Sequence, residues 1–462
     1  MSRPILLNAF VMNTPSHLSP GLWRHPDDSS TAYTRLDHWI GLAQLLERGR
    51  FSAMFLADTL GTYEAFGGSM APAFRHGLHA PVNDPLLLVP AMAAATRHLS
   101  FGVTCSVSYE HPFSLARRFS TLDHLTGGRI GWNIVTSALD SAARNFGRPE
   151  QLPHDARYER AEEYLEVCYK LWEGSWADDA VRRDKHGGLY ADPSRIRPID
   201  HHGAHFDVAG PHLAEPSPQR TPVLYQAGAS RRGRAFAARH AECIFVGAPS
   251  RVALKRTVDH LRAALAEAGR DPASVPIVAE HTVITAPTAA EAEDKRADYA
   301  RYASEEGALA MMSGWIGVDL SRYRLDDPFE HVESNAIQSA VEAMSAADPG
   351  RVWTIREIAA WCGIGGLSPV TTGTPAAVAD ELEDWIVATG IDGFNLSYAV
   401  MDGGFRDFVE LVVPELERRG RHPARYAPGT FREKLFGNGP RLPATHPAAA
   451  FRFGVEPARR TA

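Results

Sequence analysis

Residues 100–135 read SFGVTCSVSYEHPFSLARRFSTLDHLTGGRIGWNIV, two strand-like runs on either side of a helical one. Ser100–Ser108 is a short, β-rich apolar run of strand length. Phe113–Leu125 repeats its apolar residues at helical spacing and is closed by Gly127-Gly128, the residue type that ends helices. Arg129–Val135 is strand-like again. Strand, helix and strand in succession make a crossover unit, in which the two strands run parallel.

The alternation extends outward from this unit. Upstream lie strand candidates Ile5–Phe10 and Ala53–Ala57, the second ending at Asp58, with helix candidates Tyr33–Arg48 and Pro85–Arg97. Downstream, a helix over Ala156–Trp172 is followed by strand candidates Thr221–Ala227, Glu242–Val246, Ile277–Thr285 and Gly390–Tyr398. Helix candidates Arg231–His240, Arg251–Ala268, Ala289–Ala303 and Phe405–Arg418 follow them in turn. Strand candidates in βα order imply a parallel sheet, and eight such units fit a closed (β/α)8 TIM barrel. The chain of 462 residues then reads as one barrel domain. Insertions at about 173–220 and 305–375 and a tail from about 420 account for the extra length. A doubly wound sheet would need a glycine-rich turn after the first strand, and Asn8–Asn13 has none.

Composition excludes several functions. The net charge of −7 provides no basic field for nucleic acid or an anionic membrane. The apolar run Ile5–Val11 is too short for a signal peptide or a membrane span, so a cytoplasmic protein is expected. Cys105, Cys168, Cys243 and Cys362 form no C-x-x-C pair, which argues for buried thiols. His201, His202 and His205 sit in a Pro/Gly-rich insertion with no carboxylate at ligand spacing, so solvated loop histidines and no metal are expected. Gly363-Ile364-Gly365-Gly366 lacks the following Lys-Ser/Thr of a P-loop.

In a barrel of this kind the active site lies at the C-terminal strand ends. The residues there are mostly neutral hydrogen-bonding groups: Asp58, Thr104, Ser106, Asn133, Ser137 and the run Gly228-Ala229-Ser230, with Asn8, Phe10 and Asn395. They suit a polar, planar, uncharged ring, or they cap the helices that follow. Gln226–Gly233 follows a strand and opens a helix, so Gly228, Ala229 and Ser230 form either a phosphate cradle or an ordinary N-cap. His154 and Tyr158, four apart at a helix start, can reach one phosphate together, or belong to a surface helix laced with ion pairs, the reading that covers Arg157, Glu159 and Arg160.

Longer runs carry a family likeness. Leu45–Phe51, Phe55–Asp58, Thr121–Arg129 and Gly131–Ser137 resemble the bacterial-luciferase-like FMN-dependent monooxygenases. Ala143–Gly147, His154–Tyr158 and Tyr225–Ser230 add to the likeness. Within that family the chain is similar to the branch of nitrilotriacetate and dibenzothiophene-sulfone monooxygenases, and most of all to dimethylsulfide-oxidising members. That last likeness lies in Leu7–Asn13, Gly21–Pro26, Pro81–Pro85, Glu215–Gln226 and Arg432–Gly437.

The resemblance implies a two-component enzyme. A separate NAD(P)H:FMN reductase supplies FMNH2, and O2 oxidises a small organosulfur substrate with C–S cleavage. Carried over by position, Asp58, Thr104, Ser106, Asn133 and Ser137 line the flavin ring. His154, Tyr158, Gly228, Ala229 and Ser230 hold its phosphate. His17 overhangs the flavin as a proton-moving group, or is a plain loop histidine. Phe10, Trp23, Tyr109 and Trp315 line an apolar substrate pocket, with Trp315 a departure from smaller or polar residues in relatives. A homo-oligomer, dimer or tetramer, is expected. An amine, aromatic or polyaminocarboxylate substrate stays open, although the last would call for cations that the first loop lacks beyond Arg24. A flavin- or deazaflavin-dependent reductase is the reading from outside oxygenase chemistry.

Overall fold

The computed structural model describes residues 4–228, 230–329 and 352–455. Eight strands form the barrel: β1 (Leu6–Met12), β2 (Ala53–Ala57), β3 (Ser100–Ser106), β4 (Ile130–Val135), β5 (Val223–Gln226), β6 (Cys243–Val246), β7 (Ile277–Thr285) and β8 (Gly393–Ser397). Each pairs in parallel with its neighbours, and β8 closes the ring on β1. The expected (β/α)8 fold is the observed one.

The unit quoted first forms as read. His111 caps helix α1 (Pro112–Thr126) through its ring, and Gly127 ends it in the left-handed conformation at φ 63°. Outward-facing strand residues such as Val103, Trp132 and Leu224 pack under this helix and under α2 (His154–Tyr169) in the main core. Inward-facing residues form a second cluster along the barrel axis, including Phe10, Phe55, Tyr225 and Phe431. Phe55 and Tyr225 meet edge to face at 5.2 Å.

Phe431 comes from the tail. Its N–H donates to the Gly128 carbonyl at 2.7 Å, so the helix Phe431–Phe436 stoppers the N-terminal end of the barrel. Behind it, the fully buried Arg432 pairs with Glu242 through Nε at 2.7 Å and Nη2 at 2.8 Å. Arg432 also donates to the carbonyls of Gln219, Thr221, Pro222 and Pro440.

Three features differ from the sequence reading. Val370–Gly373 is a ninth strand, paired with the C-terminal half of β7 outside the closed ring. Asn8 and Asn395 lie inside their strands rather than at the mouth, where Asn8 Nδ2 donates to Asn395 Oδ1 at 2.8 Å. His201 is buried, not solvated: its ring lies between Glu163, at 3.3 Å, and Lys170, at 2.8 Å. The four cysteines are buried free thiols. No helix among the described residues is long and apolar enough to cross a membrane.

Candidate active site

β5 and the helix after it, α3 (Arg231–His240), build one end of the site. Ser230 caps α3, its Oγ accepting from Gly233 N at 3.0 Å. The Tyr158 hydroxyl reaches over from α2 toward the side chains of Ser230 and Gln226. This corner is open only because two glycines line it. A Cβ on Gly233 would lie 2.7 Å from the Tyr158 hydroxyl, and one on Gly228 would lie 2.5 Å from Gln226 Nε2. The buried Gln226 Oε1 has no hydrogen-bond partner among the described residues. The His154 ring lies 5.1 Å from that of Tyr158, with its side chain 46 % exposed and paired to Asp155. Ala229 lies outside the described residues.

Arg157, read from sequence as part of a surface ion-pair face, belongs to this corner. Its guanidinium donates to the Ser137 carbonyl, and its Nε is buried without a partner among the described residues. Burial lowers its pKa. The corner thus offers a helix N-terminus, two hydroxyls, an imidazole and a cation, the donor set for a phosphate dianion.

The adjoining wall is polar and neutral. Thr104 and Asn133 sit in register on β3 and β4, and Asn133 Nδ2 donates to Thr104 Oγ1 at 2.9 Å. Asn133 Oδ1 is left buried and unpartnered among the described residues. Ser106 and Ser137 hydroxyls meet at 2.8 Å. Ser137 has φ 49°, a left-handed conformation that strains a non-glycine residue where β4 opens into the mouth. Burial, reinforced by Asp84, pushes the Asp58 carboxyl up to about 7, while the Thr59 N–H pulls the other way.

Across the mouth the surface turns apolar. The Phe10 ring meets His17 at 4.5 Å and Phe245 at 4.9 Å. His17 is buried, and its Nδ1 has no partner among the described residues. Burial, and then the neighbouring His79, hold it well below the usual imidazole range, so its ring is neutral at pH 7. His79, which sequence reading passed over, bonds the His17 carbonyl through Nε2 at 2.7 Å, and burial lowers it to about 4.

Trp315 comes from helix α4 (Glu305–Ile316), beyond β7. It packs against both the barrel-axis cluster and the cluster formed by α4 with Ile355–Cys362. Its Nε1 donates to the Tyr63 hydroxyl at 2.8 Å. Phe10 and Trp315 therefore share one wall. Trp23 stands beside Gly77, and Tyr109 stacks on Phe146 at 4.5 Å near Arg148 and Gln151. The structure does not bring these two against Phe10.

A cavity of about 910 Å³ lies at the opposite, N-terminal end, lined by Ile5, Arg50, Tyr426 and Lys434 among others. Lys434 already donates to the His98 carbonyl there and Arg50 pairs with Glu417. Catalytic groups of such barrels gather at the other face.

Comparison with known proteins accords with this geometry. The family model described as luciferase-like monooxygenase matches residues 19–393. The chain belongs to that family. The luciferase-like monooxygenases similar to it include the dimethyl-sulfide monooxygenase of Hyphomicrobium sulfonivorans, 47% identical over 98% of this chain and 94% of the relative. The long-chain alkane monooxygenase of Geobacillus thermodenitrificans is 49% identical over 98% and 99%. A crystal structure of a riboflavin lyase with modified FMN superposes with TM-score 0.89 and 36% identity, covering 97% of this chain and 100% of that one.

The protein is a flavin-dependent monooxygenase, and luciferase-like two-component monooxygenases use reduced FMN and O2. The residues present fit that cofactor. The glycine-lined corner at Ser230 and Tyr158 suits its phosphate. The unpartnered Gln226 Oε1 and Asn133 Oδ1 can accept from its polar groups.

Sequence reading missed Arg157, His79, Tyr63 and Glu280. Glu280 alone left a signal, as a carboxylate in the middle of the apolar run of β7. The His17 ring is enclosed by groups that no sequence spacing connects to it.

Proposed function

We propose that this luciferase-like monooxygenase takes reduced FMN from a separate NAD(P)H:FMN reductase and oxidises a small, uncharged organosulfur compound with C–S cleavage. Bound reduced FMN supplies the electrons and the site of O2 activation. The protein's own residues do the rest. Ser230, Tyr158, His154 and Arg157 bind the phosphate, with the backbone of Gly228 and Ala229. Asp58, Thr104, Ser106, Asn133 and Ser137 orient the ring. Phe10, Phe245 and Trp315 exclude water. His17, neutral and buried, accepts or donates one proton at Nδ1 beside the reacting groups.

The observation that carries this reading is the polarity gradient across one barrel mouth. A phosphate-type donor set at β5 faces an aromatic wall at Phe10, with no ion pair on that wall among the described residues. An anionic polyaminocarboxylate has no cation to meet there. Alkane oxidation is the second reading, supported by the same apolar wall and by the similarity to the alkane enzyme.

The test supplies FMNH2, O2 and a panel of sulfides, sulfones, alkanes and amines, and identifies the products. Cleavage of small sulfur compounds is expected. Turnover of alkanes alone would move the assignment to the second reading, and oxidation of none would remove both.

A further inference from the structure

Glu280 is a half-buried polar group that the proposed function leaves unused. It lies in β7 beside Asn395 of β8, on the inward face, because its neighbours Ala279 and His281 point outward. Its Oε2 reaches toward the end of β6, where a Cβ on Gly247 would lie 3.6 Å from it. The Ser368 hydroxyl lies beside the carboxyl and pulls its pKa down. The other oxygen, Oε1, is buried with no partner among the described residues.

The Gly363–Gly366 turn closes the space beside it. Gly365 N donates to Ser19 Oγ at 3.1 Å, tying the turn to the first loop. Gly365 and Gly366 both have positive φ, and a side chain on either would collide. A Cβ on Gly365 would lie 2.7 Å from Thr282 Oγ1, and one on Gly366 would lie 2.9 Å from the Trp315 ring. The turn that resembled a nucleotide loop is therefore the piece that seats Trp315 close to the barrel. Glu280 lies in register with Asn395, and its side chain reaches toward Gly247 at that same end among the neutral groups Asn395, Ser397 and Ser368.

Among the described residues, no charged group faces the carboxyl from the elements packed against it. β6 presents Phe245 and Gly247, β8 presents Asn395 and Ser397, and the segment before the ninth strand presents Ser368. His281, next in sequence, points outward against Trp385, and burial lowers it to about 3. Burial pushes Glu280 up to about 8 against the pull of Ser368, so the carboxyl carries its proton at neutral pH. A neutral carboxylic acid is a hydrogen-bond donor, and an oxygen as shielded from water as Oε1 is costly to leave unmet.

We propose that Glu280 is a specificity-determining residue, whose free carboxyl oxygen donates a hydrogen bond to an uncharged acceptor oxygen on the substrate. The substrate is then a small apolar body bearing one such oxygen, as a sulfoxide or sulfone does, in preference to the bare sulfide or hydrocarbon. This rests on the pocket assignment made under the proposed function and narrows it.

The test measures binding rather than turnover, so it is independent of whether the oxygenase assignment holds. Tetramethylene sulfone and tetrahydrothiophene share a ring and differ only in the acceptor oxygens. Their dissociation constants are measured calorimetrically with oxidised FMN present, for the whole protein and for Glu280→Gln and Glu280→Leu.

A neutral hydrogen bond changes affinity by about 3- to 10-fold. The sulfone-to-thioether affinity ratio should fall by that amount in Glu280→Leu and be retained in Glu280→Gln, which keeps a neutral donor. In the parent protein the ratio should also fall between pH 7 and pH 9, as the acid ionises through about 8, while Glu280→Gln stays flat. An unchanged ratio in Glu280→Leu, or no pH dependence in the parent, overturns the proposal. A loss confined to the affinity for FMN overturns it too, because the carboxyl would then serve the flavin. Should Glu280→Leu fail to fold, the pH comparison between the parent and Glu280→Gln decides alone.

Discussion

At the N-terminal end of the barrel, the buried guanidinium of Arg432 meets Glu242 and four carbonyls, and Asp123 is bonded by Gln219 through both its backbone and side-chain N–H groups. At the C-terminal end, His17 Nδ1, Asn133 Oδ1, Gln226 Oε1 and Glu280 Oε1 are as deeply buried and have no partner among the described residues. The two ends are about one strand length apart on the same scaffold. A buried polar atom without a partner costs stability, about 1–3 kcal/mol each by general experience. At these positions the contrast sets polarity that closes the fold against polarity left open for a ligand.

The largest effect is expected at the closed end. Arg432→Met leaves Glu242 buried and uncompensated, and breaking such a pair costs about 3–5 kcal/mol. Urea unfolding should show that loss, and Arg432→Met combined with Glu242→Leu should recover much of it. A loss below about 1 kcal/mol would erase the contrast.

At the open end, Ser230→Ala removes one charge-assisted donor, worth about 1.5–3 kcal/mol. FMN affinity should drop by about 10- to 100-fold, with riboflavin, which lacks the phosphate, affected much less. Equal losses for both ligands would place Ser230 outside the phosphate corner.

A smaller effect is expected from Asp58. Its carboxyl is raised from the ordinary value of 3.8 to about 7 in the fold, so the folded state keeps a proton that the unfolded chain releases. Stability therefore falls as pH rises across that window. Asp58→Asn should flatten the fall by at least about 1 kcal/mol, allowing for the water that reaches this partly exposed group. A slope identical to that of the parent protein would mean that burial does not disfavour the charge.

Trp315→Ala sharpens the comparison from the apolar side. Opening the wall should admit bulkier sulfides or sulfones and raise the hydrogen peroxide released per product by a few-fold, as water enters. Both quantities can be followed in one assay. If neither moves, Trp315 is a packing residue of the cluster around α4.

The scaffold of this contrast was legible in the sequence. Each barrel strand carries enough apolar residues to be read locally, and Ser230 and Tyr158 announce themselves by their places at helix starts. What was hidden depends on contacts distant in the chain. Val370–Gly373 is too short to stand out and is ordered by pairing with β7. His79 acts on His17 from another loop. Phe431 reaches the barrel axis through a fold of the tail that no periodicity signals. The surface reading of Arg157 failed because helical spacing gives the face of a helix but not what covers it.

On the function proposed above, the open polar corner receives a borrowed, reduced flavin. Anaerobic equilibrium titration with FMNH2, set against titration with oxidised FMN, tests it most directly. The protein should dialyse free of flavin and bind FMNH2 at least roughly tenfold more tightly than FMN. Stoichiometric FMN retained through dialysis, with equal affinity for the two redox states, would contradict it.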